Sequence, residues 1–135
     1  MAEALDALEQ EVGDYLTGQG TATIFGTGNS FLALYTVSPN DDGTGGTEVT
    51  GGSYAREALS ATNMALTTTA GVATNDAAIT FTTATAAWGT VVGAGICSAI
   101  TAGTIGAYTV LDASKVVGDG DTFEFAIGDF SVTVA

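Results

Sequence analysis

Between residues 3 and 16, Leu5, Leu8, Val12, Tyr15 and Leu16 recur at steps of three, four, three and one, which places them on one side of an α-helix. Glu3, Asp6, Glu9, Glu11 and Asp14 fill the other sides without a Lys or Arg among them, and the acids of the first turn suit the positive end of the helix dipole. Gly18 and Gly20 then end the helix. A helix of about 14 residues is marginal alone, so its stripe must dock, either on the chain's own sheet, the favoured surface, or on a neighbouring subunit. Leu5, Leu8, Val12 and Leu16 are therefore candidate subunit or partner contacts.

From Thr21 onward the pattern changes to Thr, Val, Ala, Gly and aromatic residues, which suit pleated, half-buried surfaces. SFLALYTV (30 to 37) has apolar residues on both faces, as a central strand of a sandwich does. PNDDGTGG (39 to 46) reads as a loop opened by the only proline. EVT and SYAREALS are short extended pieces on either side of Gly51 and Gly52, which make a turn or bulge, the structural hinge of this region. Residues 61 to 77 show little periodicity and read as loop or weak strand. In AAITFTTA (77 to 84), Ile79 and Phe81 alternate with threonines; 86 to 100 is too punctuated by glycine for a helix, and 106 to 112 is a further strand. At the C-terminus, Gly128-Asp129 predicts a two-residue hairpin turn pairing Ile127 with Phe130, Phe125 with Val132 and Phe123 with Val134, all on one face.

Seven or eight short strands with glycine turns and one terminal helix predict a mainly β fold. The expected form is an antiparallel sandwich or jelly-roll-like barrel, residues 21–135, preceded by the acidic amphipathic helix within 1–20. Crossover helices for a parallel sheet are missing.

Charge narrows the function. The 135 residues carry a formal net charge of −13, with two bases, Arg56 and Lys115, against fifteen acids. Phosphate binding works through Lys and Arg that displace counterions, so neither nucleic acid nor an anionic membrane is an expected partner. No apolar run is long enough to span a bilayer, and MAEALDALEQEV has acids where a secretory leader has bases. Cys97, the only cysteine, sits in the apolar run VVGAGICSAI and reads as a core residue.

Candidate chemistry is sparse. There is no histidine, and Cys97 and Lys115 have no visible activator, so no catalytic residue, cofactor site or metal site is assigned. A carboxylate pair of the glycosidase kind is the remaining enzymatic route. Asn40-Asp41-Asp42 and Asp119, Asp121 and Glu124 could take calcium, but they lack the ligand spacing of an EF-hand and suit ordinary turns. GTGNS and GTGGT lack the GK[ST] ending of a phosphate loop, and Trp88 and Tyr54 read as core. Arg56 has two readings. It forks onto a carboxylate or loop carbonyls of its own chain, with Glu48 a better partner than Glu57, or it crosses a subunit boundary to a neighbour's acid.

FLALYTVSPNDDGTGGTEVTGGSYARE, then ITFTTATAAWGTVVGAGI, then DGDTFEFAIGDFSVTV together resemble a family of small tailed-bacteriophage virion proteins, commonly labelled tail fibre proteins. The resemblance covers roughly residues 30 to 135; Ser38-Pro39 stands where that family usually has Asp-Pro, and the stretch after Ile100 matches poorly. It implies a β-rich, oligomeric structural component of a phage particle and no enzyme. The expected role is a capsid decoration (cement) protein, a homotrimer on the outer capsid surface that binds the major capsid protein. The alternative is a tail fibre, adaptor or receptor-binding part.

Overall fold

The computed structural model describes residues 2–20, 25, 28–66 and 72–133. Among them are one helix and eleven strands: β1 (Glu3–Ala4), α1 (Asp6–Leu16), β2 (Phe31–Val37), β3 (Thr47–Glu48), β4 (Glu57–Ala58), β5 (Met64–Leu66), β6 (Val72–Asn75), β7 (Ile79–Thr80), β8 (Gly89–Cys97), β9 (Ile105–Val117), β10 (Glu124–Phe125) and β11 (Ser131–Thr133). Every strand pair is antiparallel. The strands form a six-stranded sheet in the order β1-β9-β8-β2-β3 with β4 also on β2, a pair β10-β7, and a three-stranded sheet β11-β6-β5. The expected mainly β, antiparallel class with an N-terminal helix is what the chain adopts, in open layers and not as a closed barrel.

β2 is the centre. β8 runs along one of its edges, and β3 and β4 share the other. Its alternation sends Leu32 and Leu34 into the main core with Ile79, Phe81, Trp88, Val91, Phe123, Phe125 and Phe130, while Ala33 and Tyr35 join Leu5, Cys97 and Ile105 on the opposite face. A row of rings fills the main core: Tyr54 stacks on Phe81, which meets Phe123, then Phe125, then Phe130, with centroids 5.1 to 6.3 Å apart. Each buried phenylalanine contributes about 2–3 kcal/mol by removal from water. On the other face, Gly93 and Gly95 keep β8 bare. A Cβ at Gly93 would strike the Tyr108 hydroxyl, and one at Gly95 would lie 2.6 Å from Ile105 Cδ1 and 3.1 Å from Tyr35 Cε2. Tyr35 and Tyr108 therefore meet edge to face over the strand, 5.6 Å apart.

Two elements differ from the sequence pattern. The helix starts at Asp6, not residue 3, because Glu3 and Ala4 pair with Tyr108 and Ala107 and the Leu5 N–H donates to Gly106 O at 2.7 Å. An open edge of β9 offers these residues more hydrogen bonds than a first helical turn would. Ala2, fully buried, continues the link to the three-stranded sheet through Ser131 and Thr133.

The C-terminal hairpin does not form. A turn exists, but centred one residue earlier, on Ile127-Gly128, and closed by Asp129 N–H to Ala126 O at 3.0 Å; β10 pairs with β7 and β11 with β6, so the two arms enter different sheets. Phe123, Phe125 and Phe130 are buried as expected, whereas Ile127 is 69% exposed. Asn75 is the reason. Only 1% exposed, it donates from Nδ2 to Ala77 O and Ala126 O, accepts the Phe130 N–H on Oδ1, and exchanges backbone bonds with Phe130 and Gly128. The arms are thus held apart by a side chain inserted between them. The proposed pairing of Phe123 with Val134 falls on a residue outside the described ones. Within 61 to 77, β5 and β6 form a short hairpin, and residues 67–71 are outside the described ones.

Candidate functional site

The polar groups that converge lie on the outer edge of β2. Glu48 is in register with Tyr35, so its carboxylate lies on the Tyr35 face of the sheet. After Val49 the chain must reverse, and Gly51 and Gly52 do this with φ of +75° and +52°. Gly52 also lies against the core: a Cβ there would be 2.7 Å from Ala86 O and 2.9 Å from Trp88 Nε1, the indole N–H that donates to Gly52 O. The reversal brings Tyr54 and Arg56 back over Glu48.

Arg56 makes a two-pronged fork, Nε to Glu48 Oε1 at 2.8 Å and Nη2 to Oε2 at 2.7 Å. Its Nη1 donates to Ala99 O at 2.6 Å and Ala102 O at 2.7 Å, tying down the loop between β8 and β9. The Arg56 side chain is 7% exposed and that of Glu48 23%. Glu57, one residue on, is in register with Leu32 and so lies on the other face of the sheet.

Tyr54 completes the group. β4 covers β2 at Phe31 and Leu32 and β3 covers it at Tyr35 and Val37, which leaves the Leu34 N–H between them. That N–H donates to the Tyr54 hydroxyl at 2.9 Å, and the hydroxyl donates to Glu48 Oε1 at 2.9 Å. A side-chain oxygen thus replaces the missing backbone acceptor.

The Arg56–Glu48 pair forms the wall between two open clefts of about 400 and 440 Å³, one reaching Asp42, Thr44, Gly46, Cys97 and Thr104, the other Val49, Gly51 and Ile100. The Glu48 carboxylate holds the Arg56 guanidinium charged well above its usual range, and burial raises the Tyr35 and Tyr54 phenols. Burial likewise raises the Cys97 thiol, whose sulfur lies 3.5 Å from the Tyr35 hydroxyl. Such groups hold one another and are poorly placed to exchange protons near pH 7.

The remaining candidate residues are scattered. Leu5 is buried in the Tyr35–Cys97 cluster, and Leu8 lines a small apolar cleft with Ile96, Ala107 and Val132. Val12 is half-buried and Leu16 is 76% exposed, so the helical stripe is divided between the body and solvent. Asp42 and Asp121 serve turns: the Asp42 carboxylate, held below its usual range by the Thr44 hydroxyl and N–H, caps that loop, and Asp121 accepts the Gly118 N–H at 2.8 Å. Among the described residues no three acids or thiols converge as metal ligands, and no helix is long and apolar enough to cross a membrane. Sequence reasoning missed Asn75 and the Tyr54 hydroxyl.

The antiparallel layered fold, fastened at its edge by one part-buried ion pair, is that of a small tailed-phage virion structural protein, a class that the family match defines. The chain belongs to the family described as Podophage GP4 fiber I protein gp80, whose model matches residues 3–133. The match takes in β1 and α1 as well as every other strand described. No curated protein matches the chain.

Proposed function

We infer that the chain is a rigid, non-catalytic building block of the phage particle's fibre apparatus, held on another virion protein by an acidic surface. The observation that carries this reading is the family match across residues 3–133, to a family whose description names a fibre protein. The Arg56–Glu48–Tyr54 fastening supports rigidity, since it joins β2, β3, the hinge and the β8–β9 loop in one part-buried network. The excess of acids supports attachment to a basic partner.

A second reading, a capsid decoration protein bound as a homotrimer to the major capsid protein on the outer surface, is favoured by the compact layering of the described strands. Many copies bridging capsid subunits would stabilise the expanded shell by mass action. Quantitative gel densitometry of purified virions separates the two: a fibre part is expected at about three to eighteen copies, in keeping with closed rings, and a decoration protein at scores to hundreds. Absence from purified particles would overturn both.

A further inference from the structure

Among the described residues, α1 is only partly docked on its own chain. Its first turn is fixed: Leu5 is buried, the Asp6 N–H donates to Asp41 O at 3.2 Å, and Leu8 faces Ile96 and Val132. Its last turn is not covered by the described body, for Tyr15 is 62% and Leu16 76% exposed, in line with Leu8 and Val12 on the same helical stripe. An eleven-residue helix held through Glu11 and half-buried Val12 still leaves two large side chains uncovered in its last turn, and these call for a cover.

Charge decides what kind of cover. α1 exposes Asp6, Glu9 and Asp14, while Glu11 is buried against the body, and it has no basic residue in its last turn, so the negative end of the helix dipole adds to the acidic field. A second copy would bring another −13. It could answer with little: Arg56 is buried in its fork, and Lys115 reaches to Thr122 O at 3.4 Å and lies 5.2 Å from the centre of the Phe123 ring. Packing α1 against α1 would set acids against acids.

We propose that the last turn of α1, through Tyr15 and Leu16, docks into an apolar socket rimmed by Lys or Arg on a different virion protein. The mode is an amphipathic helix end laid in a groove, with the rim charges steering the approach. This rests on the reading of the chain as a particle-bound structural protein.

The probe is a phage particle that lacks this chain, to which the purified full-length chain is added back and the bound fraction measured by sedimentation. Wild-type chain is expected to bind, and to bind at least tenfold more weakly when salt rises from about 50 to about 500 mM, because the screening length shrinks severalfold. The Tyr15→Ser/Leu16→Ser variant is expected to bind at least tenfold more weakly at low salt, with an unchanged melting temperature because both side chains lie in solvent. Ile127→Ser, an equally exposed apolar position off the helix, is expected to bind as wild type. Equal binding of wild type and the double variant overturns the inference alone, as does wild-type binding indifferent to salt. Loss of self-association in the double variant, seen by light scattering without loss of particle binding, assigns the helix end to a second copy and also overturns it. Failure of the wild-type chain to bind the particles removes instead the functional reading beneath it.

Discussion

Replacing Arg56 by Ala tests the fastening at the β2 edge. The change removes four hydrogen bonds and strands the Glu48 carboxylate with only the Tyr54 hydroxyl, while Ala99 O and Ala102 O lose their donor. Breaking a buried ion pair from one side costs about 3–5 kcal/mol. Glu48 keeps some access to water, which favours the lower part of that range, and the two loop carbonyls add under about 1 kcal/mol because solvent can reach them. A loss of about 3.5 kcal/mol corresponds, for a chain of this length, to a fall of about 12 °C in melting temperature. The assay is urea unfolding followed by fluorescence of Trp88, the single tryptophan, which lies against Gly52. Arg56→Lys keeps the charge without the fork and is expected to recover less than half of the loss. In a double-mutant cycle with Glu48→Gln, a coupling of about 2 kcal/mol is expected, since Gln strands no charge when Arg56 is replaced by Ala. An Arg56→Ala variant within about 0.5 kcal/mol of wild type at an unchanged denaturant slope would refute the reasoning. A variant equally stable but altered in mass by light scattering would move the residue's role to a subunit boundary.

Gly52→Ala is expected to cost about 2–4 kcal/mol, because it combines a positive φ with a Cβ pressed on Ala86 O, whereas Gly51→Ala, with positive φ and open space, is expected to cost about 1 kcal/mol; equal losses in thermal melts would count against the close approach. Asn75→Ala leaves the buried Phe130 N–H without its acceptor and takes a donor from Ala77 O and Ala126 O, the latter keeping the Asp129 N–H, and is expected to cost about 2–3 kcal/mol, with faster amide exchange concentrated at residues 126–130, and uniform exchange would refute its role as spacer. Burial raises the Glu57 pKa, so the folded chain holds that proton more tightly than the unfolded one: stability is lost as pH rises through the folded value and regained in acid. Glu57→Gln is therefore expected to be slightly more stable than wild type at pH 7, by no more than about 0.5 kcal/mol, and indistinguishable below the ordinary glutamate value of about 4.3; a variant less stable at pH 7 would reverse the sign.

The parts of this fold that were legible in the sequence are those decided by near neighbours. α1 announces itself through a 3.6-residue period, and β2 through a run apolar on both faces, because each burial pattern is set by the element's own geometry. Pairing Arg56 with Glu48 was legible for a similar reason, since strand alternation removes Glu57 from reach. What was not legible depends on contacts remote in sequence. Nothing near residue 3 reveals that β9 has an open edge about a hundred residues later, so the helix start was misplaced. A turn near Gly128 was legible, but it closes one residue earlier than the Gly128-Asp129 pattern suggests, on Ile127-Gly128, and which strands its arms join is decided by Asn75, 55 residues before Phe130.

The same remoteness explains how the edge of β2 is closed. A central strand flanked by two short, separate strands leaves a gap in its ladder, and an exposed gap of this kind invites pairing with another chain. Here the gap is filled by the Tyr54 hydroxyl, whose ring is itself fixed between Phe81 and Trp88 in the main core. The hydroxyl binds Glu48, Glu48 holds Arg56, and Arg56 holds the β8–β9 loop, so loosening the edge anywhere disturbs a chain of contacts that ends in the aromatic row. Strand addition at this edge would have to displace the whole network. The helix end at Tyr15 and Leu16, by contrast, presents two large exposed side chains for docking without any such network to break.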